Sequence, residues 1–148
     1  MKRIALILFV FLTYSLSTFA QTSADAIVGV WFNKDKDAKI QIYKKGNEFF
    51  GKIVWLLHPK DDEGQDKRDK ENPDDQLKKR QIFGFEILHD FKYNADDKQW
   101  DSGKIYDPKS GKTYSCKISI KDKGSINVRG FVGISLIGRT DVWTRATI

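Results

Sequence analysis

A single cysteine, Cys116, stands in the 148 residues, so no disulfide can form within the chain and stability has to come from a packed core. Histidine is almost as scarce. His58, His89 and Cys116 are scattered without zinc-ligand spacing, no serine sits in a Gly-x-Ser-x-Gly elbow, and neither a metal nor any other cofactor is expected. With two histidines to serve as bases and no carboxylate pair at a fixed separation, an enzyme is the minority expectation. Proline is confined to Pro59, Pro73 and Pro108, and no stretch shows helical periodicity. Beyond residue 20 no apolar run approaches the ~20 residues of a membrane span.

What the chain does have begins with a leader. Lys2 and Arg3 precede the apolar Ile4 to Leu12, and Thr18-Phe19-Ala20 puts small residues where a signal peptidase reads them, so residues 1–20 are expected to be a signal peptide. Export to the periplasm or beyond follows, with residues 21–148 as a single domain. Basic residues exceed acidic ones, 26 against 20, but the two signs are interleaved. That pattern, in an exported chain, predicts a solvated surface rather than a nucleic-acid partner.

The remainder reads as short strands separated by turn residues. They are expected at Ile27 to Phe32, Lys39 to Lys44, Glu48 to Leu57 and Phe83 to Tyr93, then in the two arms of the Trp100 to Ile120 hairpin, at Ser125 to Val132 and at Arg139 to Arg145. Asp107-Pro108-Lys109-Ser110-Gly111 writes the hairpin turn, and all three prolines fall between strands. The fold class is therefore all-β: an up-and-down antiparallel meander of about eight strands, closed into a barrel because closure removes both exposed edges. A seven-stranded sandwich is the alternative. Alternation puts Cys116 on one face with Tyr114 and Ile118, as a small buried hydrophobe, and His89 on the core face with Ile87 and Phe91.

Eight strands enclose room for side chains or for one small ligand. Among the many aromatics, Trp55, Phe85, Trp100, Tyr106 and Tyr114 are the candidates to line such a space, and Arg129 is either solvent-facing or a contact for an anionic ligand. The loop from His58 to Lys79 is long and crowded with charge. Its acids between Asp61 and Asp75 do not match a calcium-loop register, and a solvated, mobile segment is expected there. His58, or a cluster of Arg129, Arg139 and Asp74 at one mouth, is what an enzyme would use. Three functions are thus carried forward: a binder of a small apolar or amphiphilic molecule, an envelope interaction or stress protein that uses the barrel as a scaffold, and the enzyme.

Gly29-Val30-Trp31, with Arg145 beside Trp143, resembles the Gly-x-Trp signature and stacking arginine of lipocalin and other calycin barrels. A wider set is similar to the bacterial exported family called domain of unknown function 2147. It comprises Gly51-Lys52-Ile53, Asn72-Pro73-Asp74 with Arg80 and Gly84, Gly103-Lys104-Ile105-Tyr106-Asp107-Pro108, Gly111-Lys112-x-Tyr114, Val128-Arg129-Gly130 and Gly138-Arg139-Thr140-x-x-Trp143-x-Arg145. The resemblance implies export and a lipocalin-like barrel whose end is closed by the arginine on the tryptophan. It implies no reaction.

Overall fold

A computed structural model of the chain describes residues 23–148; the expected signal peptide lies outside the described residues. Eight antiparallel strands follow one another in order and close: β1 (Gly29–Phe32), β2 (Ala38–Lys45), β3 (Glu48–Leu56), β4 (Glu86–Asn94), β5 (Gln99–Asp107), β6 (Lys112–Asp122), β7 (Ser125–Phe131) and β8 (Gly138–Ala146), with β8 pairing back onto β1. The expected meander barrel is the observed one. Alternation drives it. In β2, Ala38, Ile40 and Ile42 are buried and the residues between them are not, so one face of the strand joins the core and the other meets water.

Strand order also sorts the connections. Those after β1, β3, β5 and β7 gather at one end of the barrel, and those after β2, β4 and β6 at the other. A short 3-10 helix, Ala24–Ile27, packs into the core at the second end through the fully buried Ile27. Trp31 Nε1 donates to the Ile27 carbonyl at 2.8 Å, and Trp100 Nε1 donates to the Ala24 carbonyl at 2.8 Å. Both indoles thus meet the carbonyls of that helix. The Arg145 guanidinium lies 3.9 Å from the Trp31 ring centroid and donates to the carbonyls of Val28 and Ala26. Gly29 makes room for it: a Cβ there would stand 2.5 Å from Arg145 Nη1, and the φ of 135° suits glycine besides. The expected cation–π closure is present, worth roughly 1–2 kcal/mol where desolvated.

Three expectations change, each for a backbone reason. A register slip opposite Lys39 and Ile40 leaves Val54 as an extra residue in β3, so Trp55 turns to the outer surface, edge-on to Phe32 and under Lys39. Pairing is irregular on both sides of Gly51, and Asp90 has a positive φ of 60°. Ile87, Leu88 and Phe91 are buried in consequence, whereas His89 is half-buried against Glu86 at 3.1 Å rather than in the core. Finally, β4 starts at Glu86, leaving Phe83 exposed ahead of it.

Candidate functional site

The interior is not filled. A cavity of about 610 Å³ opens at the end carrying the connections after β1, β3, β5 and β7, with Ile40, Ile53, Ile87, Ile105, Val128 and Trp143 on its walls. A polar mouth surrounds it, where Lys34, Asp35, Asp37, His58, Lys67, Lys109, Arg139 and Asp141 mix both charges. The connection between β7 and β8 adds an apolar edge: Val132 and Ile137 reach the cavity, and Leu136 is 84% exposed.

Of the residues singled out from the sequence, Tyr106 and Tyr114 line this space. Trp55 does not, having turned outward. Trp100 is buried at the far end, and its ring packs edge-on to Phe49. Phe85 is partly buried against the core, beneath the Arg80 guanidinium, whose Cζ is 3.4 Å from the ring centroid. Arg129 also points away: it donates to the carbonyls of Ser135 and Leu136 and to Thr140 Oγ1, holding the β7–β8 connection instead of facing the cavity. His58 and Arg139 reach the mouth, but the Asp74 carboxylate accepts from Gln76 N. The cluster of Arg129, Arg139 and Asp74 therefore does not assemble, and of these alternatives only His58 and Arg139 stand at the mouth. Among the described residues no three His, Cys, Asp or Glu side chains converge as metal ligands.

The long loop is organised, contrary to expectation, and the residue that organises it was not singled out. Asp69 is fully buried. Its Oδ2 accepts from Arg80 Nε at 2.9 Å and Nη2 at 2.7 Å and from Asn72 Nδ2 at 2.9 Å, while Oδ1 accepts from the Tyr106 hydroxyl at 2.6 Å. Burial foremost, and then the Asp69 carboxylate, push the Tyr106 phenol above its ordinary 10.0. Asn72 and Arg80 of the loop are thereby fastened to β5. Pro73 follows Asn72, whose Oδ1 accepts from Asp74 N in a local turn. Gly111 receives the loop on its other side: with φ of 68°, a Cβ there would lie 1.8 Å from the Glu71 carbonyl oxygen. Gly103 accommodates the Phe91 ring, 2.4 Å from where its Cβ would be. Gly138 makes a similar approach to the Gly130 carbonyl. Several glycines of the resemblance thus mark places where chain or ring needs the missing side chain's room. Pro108 and Asp107, by contrast, serve the β5–β6 turn, where the Asp107 carbonyl accepts from Gly111 N at 2.8 Å.

Electrostatically, the mouth is paired across its width. Lys109 Nζ donates to Asp37 Oδ2 at 2.8 Å and stands 3.5 Å from Asp35. Partial burial raises the Asp37 carboxyl, but hydrogen bonds from Lys109 and Asn33 and the Lys109 charge outweigh it and hold it below its ordinary 3.8. Asp141 accepts from Arg139 Nη2 at 3.0 Å through Oδ2, while its Oδ1 is buried.

Comparisons place this geometry among known proteins. A solved structure described as protein HP1028 from the human pathogen Helicobacter pylori, belonging to the lipocalin family, superposes with a TM-score of 0.69 at 20% identity, covering 81% of this chain and 82% of that one. At that identity the likeness concerns the fold. Comparison with the curated proteins returns no match. A family model does match residues 29–145, nearly the whole barrel, and the chain belongs to that family, described as "Uncharacterized protein conserved in bacteria (DUF2147)".

Proposed function

We propose that this protein is a non-enzymatic binder that holds a small apolar or amphiphilic molecule inside the barrel and works after export. The cavity carries the reading. About 610 Å³ with isoleucine, valine and tryptophan walls and a polar mouth is within the usual range for a small-molecule site, and leaving it unfilled forfeits packing that a purely structural barrel would keep. The structural neighbour's description as a lipocalin supports the same reading at the level of fold. Export rests on residues 1–20 alone, and mass spectrometry of the secreted chain should find Gln21 at its N-terminus.

Displacement of an environment-sensitive fluorophore by a panel of lipids and metabolites tests binding. Gly130 provides the control, because it lines the cavity and a Cβ there would meet Ile105 and Tyr114 at an ordinary 3.7 Å. Gly130→Leu should place its side chain in the cavity and abolish fluorophore binding with the fold intact. A variant that binds as well as the parent would remove the cavity from consideration.

A further inference from the structure

Exposed apolar side chains are spread unevenly over the barrel. Among the described residues nine large ones stand exposed, and seven of them lie in the connections after β3 and β7, at the open end. Four crowd into the β7–β8 connection, where Val132, Ile134, Leu136 and Ile137 are between 58% and 84% exposed. The backbone beneath them is bonded internally. The Ile134 carbonyl accepts from Ile137 N at 3.1 Å and the Ile137 carbonyl from Val132 N at 3.2 Å, while Arg129 reaches the carbonyls of Ser135 and Leu136 at 2.7 and 3.3 Å. Four consecutive carbonyls, 134–137, are thus satisfied without water, and taking them out of water costs little. Charge around the tip is one-sided as well. From Ser125 to Thr140 the chain carries Arg129 and Arg139 and no acid. The Arg139 side chain is 80% exposed, and Lys34 on the neighbouring β1–β2 turn is exposed too; Asp141, the acid they share, is largely covered, and Asp35 and Asp37 face Lys109.

We propose that the β7–β8 connection docks the open end of the barrel on an anionic lipid bilayer, with Ile134 and Leu136 among the acyl chains and Arg139 and Lys34 against head-group phosphates. A protruding apolar tip backed by exposed cations matches such a surface in both polarity and charge. A second copy of the chain matches it less well, because a tip of this size falls far short of the roughly 20–30 residues a side that a stable dimer buries. Val132 and Ile137 belong to the same connection and also line the cavity, so docking joins the cavity to the apolar layer and lets a ligand pass without crossing water. Ile134 and Leu136 do not line the cavity, and docking through them stands independently of what the cavity holds.

Flotation of the mature chain with vesicles tests this. The parent should float with phosphatidylethanolamine vesicles containing a quarter phosphatidylglycerol, and several-fold less with pure phosphatidylcholine. Ile134→Glu with Leu136→Glu should weaken flotation on the anionic vesicles by about tenfold or more. An unchanged urea midpoint of that double variant shows the fold intact, and its retained fluorophore binding separates loss of docking from loss of the cavity site. Ile148→Glu changes a residue just as exposed, two positions past the far end of β8, and should float like the parent. A parent chain that ignores the anionic vesicles overturns the proposal, as does a double variant that floats as well as the parent or a parent equally attached to phosphatidylcholine. A parent that leaves vesicles alone but runs as a dimer in gel filtration, with the double variant monomeric, assigns the tip to a second copy and overturns it likewise.

Discussion

Lys109 and Asp37, on the turns after β5 and β1, meet at 2.8 Å across the cavity mouth. Strand order places those turns on opposite sides of an eight-stranded barrel, so the ion pair ties the rim together. Being partly exposed, it adds at most about 1 kcal/mol to stability, and its effect should be on access. Lys109→Met should speed fluorophore entry several-fold in stopped flow while shifting equilibrium affinity less. The pH window follows from both partners. The Asp37 carboxyl is lowered from 3.8, so its contribution is present above that value and lost as pH falls through the lower folded value. Lys109 is raised from 10.5, chiefly by its hydrogen bond to Asp37, so its contribution is present below 10.5 and lost as pH rises through the higher folded value. Entry rates of the parent chain should therefore be flat from about pH 5 to 9 and climb at both extremes, in acid below the ordinary carboxyl range and in alkali above the ordinary lysine value. A rate change centred near neutrality would show that another group guards the mouth.

Asp69 should be the most sensitive polar position in the chain. Removing it leaves Arg80 and the Tyr106 hydroxyl without their shared acceptor in a buried setting, and breaking a buried pair from one side costs about 3–5 kcal/mol. Tyr106→Phe deletes two hydrogen bonds, the one donated to Asp69 and the one accepted from Asn72, and keeps the ring, for about 1–2 kcal/mol. Urea unfolding of the two variants should rank them in that order by midpoint. Asp69→Ala proving as mild as Tyr106→Phe would mean that the loop is not fastened through this network.

The barrel was legible because period-2 burial and turn chemistry agree along nearly every strand, and because the residues resembling a calycin barrel end, Gly29, Trp31 and Arg145, do meet. The cavity wall was legible in part. Trp55 and His89 left the faces that alternation gives them because bulges near Val54 and Asp90 shift the phase, and bulges leave no dependable mark when the bulged residue is not glycine. Asp69 escaped notice for a different reason. It is one of eight acids between Asp61 and Asp75, and what distinguishes it is its distance to Tyr106 on β5, which chain order does not supply. The apolar rim was present in the sequence as Val132, Ile134, Leu136 and Ile137, a dense run beside a turn, and that density was the available signal.

Intrinsic fluorescence can report on the site because the four tryptophans are separated by the fold. Trp143 lines the cavity; Trp31 and Trp100 are buried against the closed end, and Trp55 faces outward. A ligand that occupies the cavity should change the emission of the parent chain. Trp143→Phe should remove most of that change, and Trp55→Phe should leave it. Were Trp55→Phe the variant that silenced the signal, the ligand would be resting on the outer surface.

Cys116 offers the last test, since its neighbours decide both its reactivity and a pH dependence. Burial in the core pushes the thiol from its ordinary 9.0 up to about 12. At pH 8 the native chain should resist a thiol reagent such as Ellman's and react only as it unfolds, so the labelling rate becomes a measure of opening. The linkage has a definite sign. A thiol kept neutral in the folded state contributes stability fully present below pH 9, and that contribution is lost as pH rises from 9 toward 12, because the unfolded chain ionises first. Cys116→Ala should cost about 1 kcal/mol at pH 7 through the lost sulfur packing. It should also flatten part of the alkaline decline, so that the two stability curves converge as pH rises above 9. Parallel curves across that range would place the thiol in water and undo its assignment to the core.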